Sequence, residues 1–219
     1  LDYLYKTYFP TLNKDLGTWG GRVRTFLQYI YNRKGPLSLS LNQGGGYVNW
    51  KSLDPYPNIQ LYFNPLTYSV SFKNKRPLLN TDKFNGFIIG FNSCRPKSLG
   101  EVNLQNIDNN YLPSIDPRYL SDERDIHDLY STFDFIRKFS LNKNISNIIK
   151  SPVNIDPIKL SDDELLDHFK LNATTIYHPC GTCRMSKEVN TGVVSEKLKV
   201  HGLDNLWIVD ASIMPNITS

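Results

Sequence analysis

Thr174-Thr175-Ile176-Tyr177-His178-Pro179-Cys180-Gly181-Thr182-Cys183-Arg184-Met185 is where this sequence changes character. Before it come four strand-like stretches, Ile59 to Phe63, Leu66 to Phe72, Phe87 to Phe91 and Glu101 to Gln105. They are rich in aromatic or β-branched residues and bounded by Pro, Asn or Gly, the pattern of half-exposed antiparallel strands. After it, Leu206-Trp207-Ile208-Val209 is short, continuously apolar and closed by Asp210. That pattern suits a strand buried on both faces of a parallel sheet. The break falls near residue 172. The fold expected is α+β: an antiparallel sheet with helices on one face, then the stub of a second, α/β domain.

The helices have readable ends. Val23, Phe26, Leu27, Ile30 and Tyr31 repeat at helical spacing, and Gly35-Pro36 stops the pattern. Leu37 to Asn49, with Gly44-Gly45-Gly46, reads as a loop, and Ser98-Leu99-Gly100 as a turn. Asn106 to Pro117 is dense in turn formers. Ser121 is the expected cap of a helix whose inner face is Ile126, Leu129, Tyr130, Phe133 and Ile136. Its first turn carries Asp122, Glu123 and Asp125, which complement the helix dipole. A further helix opens with a capping box, Ser161 with Glu164, and a hydrophobic staple, Leu160 with Leu165, and fades near Leu171-Asn172.

Composition removes several classes of function. With 219 residues, 40% hydrophobic and 21% charged, the chain is neither disordered nor fibrous. No apolar run reaches the roughly 18 to 20 residues of a membrane span, so no integral membrane segment is expected. The net charge of +4 is spread over lysines scattered singly among acids and asparagines. A nucleic-acid binder gathers such charge on one face. Three cysteines are too few for a disulfide scaffold, and no signal segment opens the chain. A reducing interior such as the cytoplasm is expected, with association at a membrane surface left open.

Of the four histidines, His127 and His168 lie on expected helices among acids and His201 precedes Gly202 in a turn, where ordinary surface roles suffice. His178 stands apart. With Cys180 and Cys183 it could offer three zinc ligands, although the His-x-Glu half of a nucleobase deaminase pattern is absent. The Cys180/Cys183 pair could exchange disulfides, or could simply fill a tight turn about Gly181. His178 could also act as a base, since imidazole suits proton transfer near neutral pH and Pro179 stiffens the backbone behind it. Spacing alone does not choose among these.

A resemblance does. His178 to Met185, Gly192-Val193-Val194, Leu198 to Leu203 and Val209 to Pro215 together resemble the C-terminal signature of the glucose–methanol–choline (GMC) flavin oxidoreductases. Arg33 to Ser38, Asn42 to Gly46 and Cys94 to Gly100 also fit, and resemble the choline-dehydrogenase-like branch. The resemblance implies FAD as cofactor and a small-molecule alcohol oxidised to a carbonyl by hydride transfer to flavin. The electron acceptor is left unspecified. It puts the family's active-site histidine on His178 and places Asp210 and Ala211 at the ribityl and pyrophosphate region of FAD, at the carboxyl end of a strand where ligands bind. The alternative for Asp210 is a turn or cap residue. No metal ligand is implied.

The implied partition is a linking region with an amphipathic helix (1–35), a substrate-binding domain (36–172) and part of an FAD-binding domain (173–219). Tyr62, Asn64 and Tyr68 are pocket candidates whose face the alternation leaves open. The FAD fingerprint Gly-x-Gly-x-x-Gly is absent, the family's second catalytic residue would fall two places past Ser219, and the chain opens on Leu1. The expectation is a segment of a longer polypeptide that does not hold FAD by itself.

Overall fold

Along the first strand Tyr3, Tyr5 and Thr7 are buried while Asp2, Leu4 and Lys6 between them are half-buried. This period of two is what a strand with one face on a core requires. The computed structural model describes residues 1–71, 78–104 and 112–218. They run β1 (Asp2–Thr7), α1 (Leu12–Leu16), α2 (Trp19–Asn32), β2 (Gly44–Val48), β3 (Ile59–Asn64), β4 (Tyr68–Ser71), β5 (Leu78–Thr81) and β6 (Gly86–Ser93). Then follow β7 (Glu101–Asn103), β8 (Ser114–Asp116), α3 (Glu123–Leu141), α4 (Lys143–Ser146), β9 (Ile149–Pro152) and α5 (Asp162–Asn172). Two units result: Leu1–Asn92 with Tyr130–Ala173, and Ser93–Leu129 with Thr174–Ser219.

The first unit is built on a five-stranded sheet, order β2-β3-β6-β1-β9. Strand β1 runs antiparallel to both β6 and β9, and β2 antiparallel to β3. From Gly86 to Phe91 strand β6 is buried throughout. Tyr3 meets Phe91 edge-on at 5.5 Å and Tyr5 stacks on Phe87 at 5.4 Å, arrangements favoured by the ring quadrupole. Phe133 and Ile136 of α3 complete this core, and Tyr5 Oη lies 3.2 Å from Ser140 Oγ, tying strand to helix. One buried amide locks the loops together. Asn13 donates to the carbonyls of Thr67 (2.8 Å) and Asp82 (3.1 Å) and accepts from Thr67 N–H (3.0 Å).

Several expectations are met and several corrected. The helices at α2, α3 and α5 form, as do strands β3, β4, β6 and β7; Phe72 and Gln105 lie outside the described residues. The Ser161–Glu164 capping box is complete, with Leu165 fully buried behind it. Gly44 to Gly46, expected in a loop, belong to β2. Gly45 pairs with Tyr62, and a Cβ on Gly45 would stand 2.4 Å from the Leu61 carbonyl oxygen. Glycine here serves close backbone approach rather than a turn. The cap of α3 is Asp122, which accepts from Arg124 N–H at 2.9 Å, not Ser121.

The apolar stripe of α2 does not face the core. Phe26 is 55% exposed and Tyr31 80%, whereas Gly21 and Thr25 are buried. Residues 1–35 are also more than a link, since β1 is an interior strand of the sheet. Within the turn-rich stretch Ser114–Asp116 forms β8, which pairs with β7; residues 105–111 lie outside the described residues. Leu206 to Val209 is no strand buried on both faces. It makes a single antiparallel bridge, Lys199 to Trp207, and Trp207 and Val209 are 52% and 74% exposed. A buried parallel strand needs paired neighbours on both edges and cover on both faces. The described residues provide neither.

Candidate active site

The second unit has few regular elements. Its C-terminal part is held by short bridges around Val194, which is fully buried. Val194 pairs with Met185 in parallel and with Val200 in antiparallel fashion, and His201 Nε2 donates to the Ser186 carbonyl at 3.0 Å. Upstream, the buried carboxylate of Asp125 accepts from Lys97 N–H (2.7 Å), Ser98 N–H (2.8 Å) and Ser98 Oγ (2.5 Å), fixing the turn after Cys94.

His178 lies in the segment that leads into this knot. Helix α5 ends as Ala173 turns extended, and the chain then runs irregularly to Gly181. Tyr177 has φ +61°, the left-handed region, and its N–H donates to Thr175 Oγ1 at 3.0 Å. Gly181 has φ +88°, which glycine takes without strain. From Cys183 the segment is stitched to the C-terminal turn: Cys183 N–H donates to the Ser212 carbonyl (3.0 Å) and Met185 N–H to that of Ile213 (2.8 Å). These bonds bring the His178 segment and the Asp210-Ala211 turn together. The His178 imidazole is exposed and makes no hydrogen bond among the described residues.

Asp210 caps the 3₁₀ turn Ala211–Ile213. Its Oδ1 accepts from the Ser212 hydroxyl and from Ser212 N–H (2.8 Å), and these bonds hold its carboxyl below the ordinary aspartate value. Oδ2 carries no bond among the described residues, and Ala211 beside it is exposed and presents no polar side chain. A fixed carboxylate with a free acceptor oxygen fits a hydroxyl-bearing chain such as the ribityl portion of FAD. It would repel a pyrophosphate. The donor set present therefore suits one part of that cofactor.

The zinc reading finds no geometry. Among the described residues no three His, Cys, Asp or Glu side chains are grouped as ligands, and Cys94, Cys180 and Cys183 are free thiols. Of the pocket candidates, Asn64 is buried. Tyr62 lies against Gly90 and donates from its hydroxyl to Asp2 Oδ1 at 3.0 Å. Its face is set by the Asp2–Gly90 register, which no single-strand alternation reveals.

The GMC oxidoreductase family model matches residues 96–219, more than half of the chain. The chain belongs to the GMC oxidoreductase family. This family is FAD-dependent. Over 191 residues, 87% of the chain and 33% of the relative, it is 35% identical to the alcohol dehydrogenase [acceptor] of Pseudomonas putida. It is 30% identical to the oxygen-dependent choline dehydrogenase of Cronobacter sakazakii over 91% of the chain and 34% of that protein. The chain thus spans about one third of the length of these relatives.

Solved structures carry the same fold. A formate oxidase of Aspergillus oryzae RIB40 superposes with TM-score 0.81 at 22% identity, over 99% of this chain and 42% of that one. A pyridoxine 4-oxidase from Mesorbium loti gives 0.71 at 24% identity, over 99% of this chain and 37% of that one. Among the described residues no helix is long and apolar enough to cross a membrane.

Proposed function

We propose that this chain supplies the substrate-binding part and the active-site base of an FAD-dependent enzyme that oxidises a small alcohol to a carbonyl. The observation that carries the reading is the His178 imidazole: exposed, without a hydrogen bond among the described residues, and on a segment stitched to the Asp210 turn. On this reading residues 36–172, with the amphipathic helix and strand β1 that precede them, serve substrate binding, and residues 173–219 belong to the FAD-binding part.

When bound, FAD supplies the acceptor for the hydride that leaves the carbinol carbon. The chain's own work is proton handling and positioning. A ring nitrogen of His178 accepts the hydroxyl proton as the carbonyl forms, and Pro179 limits the ring's freedom. Asp210, kept ionised and fixed by Ser212, would hold the hydroxyl-bearing chain of the cofactor. Three free thiols suit a reducing compartment such as the cytoplasm.

In the FAD-loaded enzyme, His178→Ala is expected to lower turnover by about 10²- to 10⁴-fold, the usual cost of removing a general base, with flavin absorbance retained. Wild-type turnover in that variant would take His178 out of the mechanism.

A further inference from the structure

The three thiols of the chain stand in different surroundings. Cys94 is 3% exposed, and burial pushes its thiol up. It behaves as a free cysteine ordinarily does, as a small buried hydrophobe. Cys180 and Cys183 do not. Both are free, both are half-buried, and only two residues separate them. A pair that merely filled the turn about Gly181 would be covered as Cys94 is.

The backbone between them is set to close. Gly181 has φ +88°, the positive side that the first central residue of a primed β-turn takes, and in Cys180-Gly181-Thr182-Cys183 glycine holds that position. Such a turn brings its end Cα atoms within about 7 Å, and a disulfide spans Cα atoms about 4.4–6.8 Å apart. The two ends are held differently. Cys183 N–H donates to the Ser212 carbonyl at 3.0 Å. From Thr174 to Thr182 the one hydrogen bond among the described residues is Tyr177 N–H to Thr175 Oγ1. Cys183 is thus a fixed point, and Cys180 can swing toward it about a glycine, the residue with the widest backbone freedom.

We propose that Cys180 and Cys183 form a reversible thiol–disulfide site whose closure ties down the segment that carries His178. The oxidant is a small-molecule disulfide such as oxidised glutathione. One cysteine thiolate attacks it, breaking its S–S bond, forming a mixed disulfide and releasing one glutathione. The second cysteine thiolate attacks the mixed disulfide, forming the Cys180–Cys183 bond and releasing the other glutathione. Two protein thiols are oxidised, one small disulfide is reduced, and the two thiol protons end on the two glutathiones. In a reducing compartment such a bond is transient, the behaviour of a redox sensor.

The test incubates the FAD-loaded enzyme with oxidised glutathione, then alkylates it and maps its peptides. Both alkylatable thiols at 180 and 183 are lost, the peptide holding them is lighter by two hydrogens, and dithiothreitol restores them. Cys183→Ser, which has no second thiol, retains glutathione on Cys180. Amide hydrogen exchange across residues 174–182 slows in the oxidised wild type and not in treated Cys183→Ser. The inference is overturned if both thiols stay alkylatable, if the wild type keeps bound glutathione and forms no bridge, or if the bridge forms and exchange in that segment is unchanged. None of these readouts uses turnover, so their failure leaves the base reading of His178 standing, and His178→Ala tests that reading separately.

Discussion

Phe87-Ile88-Ile89 in β6 and Leu206-Trp207-Ile208-Val209 near the C-terminus are equally apolar, yet the first run is buried and most of the second is exposed. The difference lies in their neighbours. Strand β6 has β3 on one edge and β1 on the other, and Phe87 packs on the rings of Tyr5 and Phe63. The C-terminal run has one bridge to Lys199. Apolar composition makes burial favourable, but only a partner surface can realise it. One unit contains its partners within itself; the other presents a row of apolar side chains to solvent.

The largest expected effect tests that contrast directly. Phe133 is buried against the sheet's core, and Phe133→Ala is expected to cost about 3–5 kcal/mol, read as a fall in the urea midpoint. Trp207→Ala, although it deletes a larger side chain, should shift stability by no more than about 0.5 kcal/mol because that ring is half exposed. Comparable losses in the two variants would break the comparison, since they would mean that Trp207 is buried in solution.

The same contrast explains what could be read from sequence. Helix α5 was legible to its cap because a capping box is local: Ser161 and Glu164 need only each other. Strands β3 and β6 were legible because their aromatic and β-branched runs are bounded by breakers. Strand β1 went unread although Tyr3-x-Tyr5-x-Thr7 alternates cleanly, and β9 is only Ile149–Pro152, too short to show a period. The α2 stripe gave the helix but not its environment, because periodicity reports which residues share a face and not what covers it. His178 and Asp210 were legible through a family signature.

Each unit also has a polar clamp, and these sharpen the comparison at the next scale down. Asn13 in the first unit satisfies Thr67 N–H, Thr67 C=O and Asp82 C=O, all from one buried amide. Asn13→Ala strips Thr67 N–H and the Asp82 carbonyl of this partner, while the Thr67 carbonyl keeps the Asp82 N–H at 3.1 Å, and should cost about 2–3 kcal/mol. Asp125 in the second unit holds two backbone N–H groups and a hydroxyl. Asp125→Asn is milder, about 1–2 kcal/mol, because the amide oxygen still accepts from one N–H while its NH₂ faces the other donor. Both are measured by urea titration. An Asp125→Asn loss larger than that of Asn13→Ala would show that the carboxylate's charge outweighs bond count.

The smallest effect concerns two carboxylates held ionised by different physics. Asp134 in the first unit is held down at about 2 by its bond to Lys51 Nζ (2.9 Å) and then by the Trp50 indole N–H (2.9 Å), with Lys138 at 3.4 Å. Asp210 in the second is lowered by the hydroxyl and then the N–H of Ser212, both neutral. For both groups the folded value lies below the unfolded one. Each therefore adds stability that is present above the unfolded value and disappears as pH falls through the folded value, near pH 2 for Asp134. Salt separates them. Screening weakens the attraction between an exposed carboxylate and ammonium, whereas a short bond to a neutral donor is barely affected. In carboxyl-carbon NMR titrations, raising salt from 0.05 to about 1 M should carry Asp134 back toward the ordinary aspartate value and leave Asp210 nearly fixed. Equal movement of the two would show that Asp210 also answers to a charge, and that the two units do not differ in how they hold an anion.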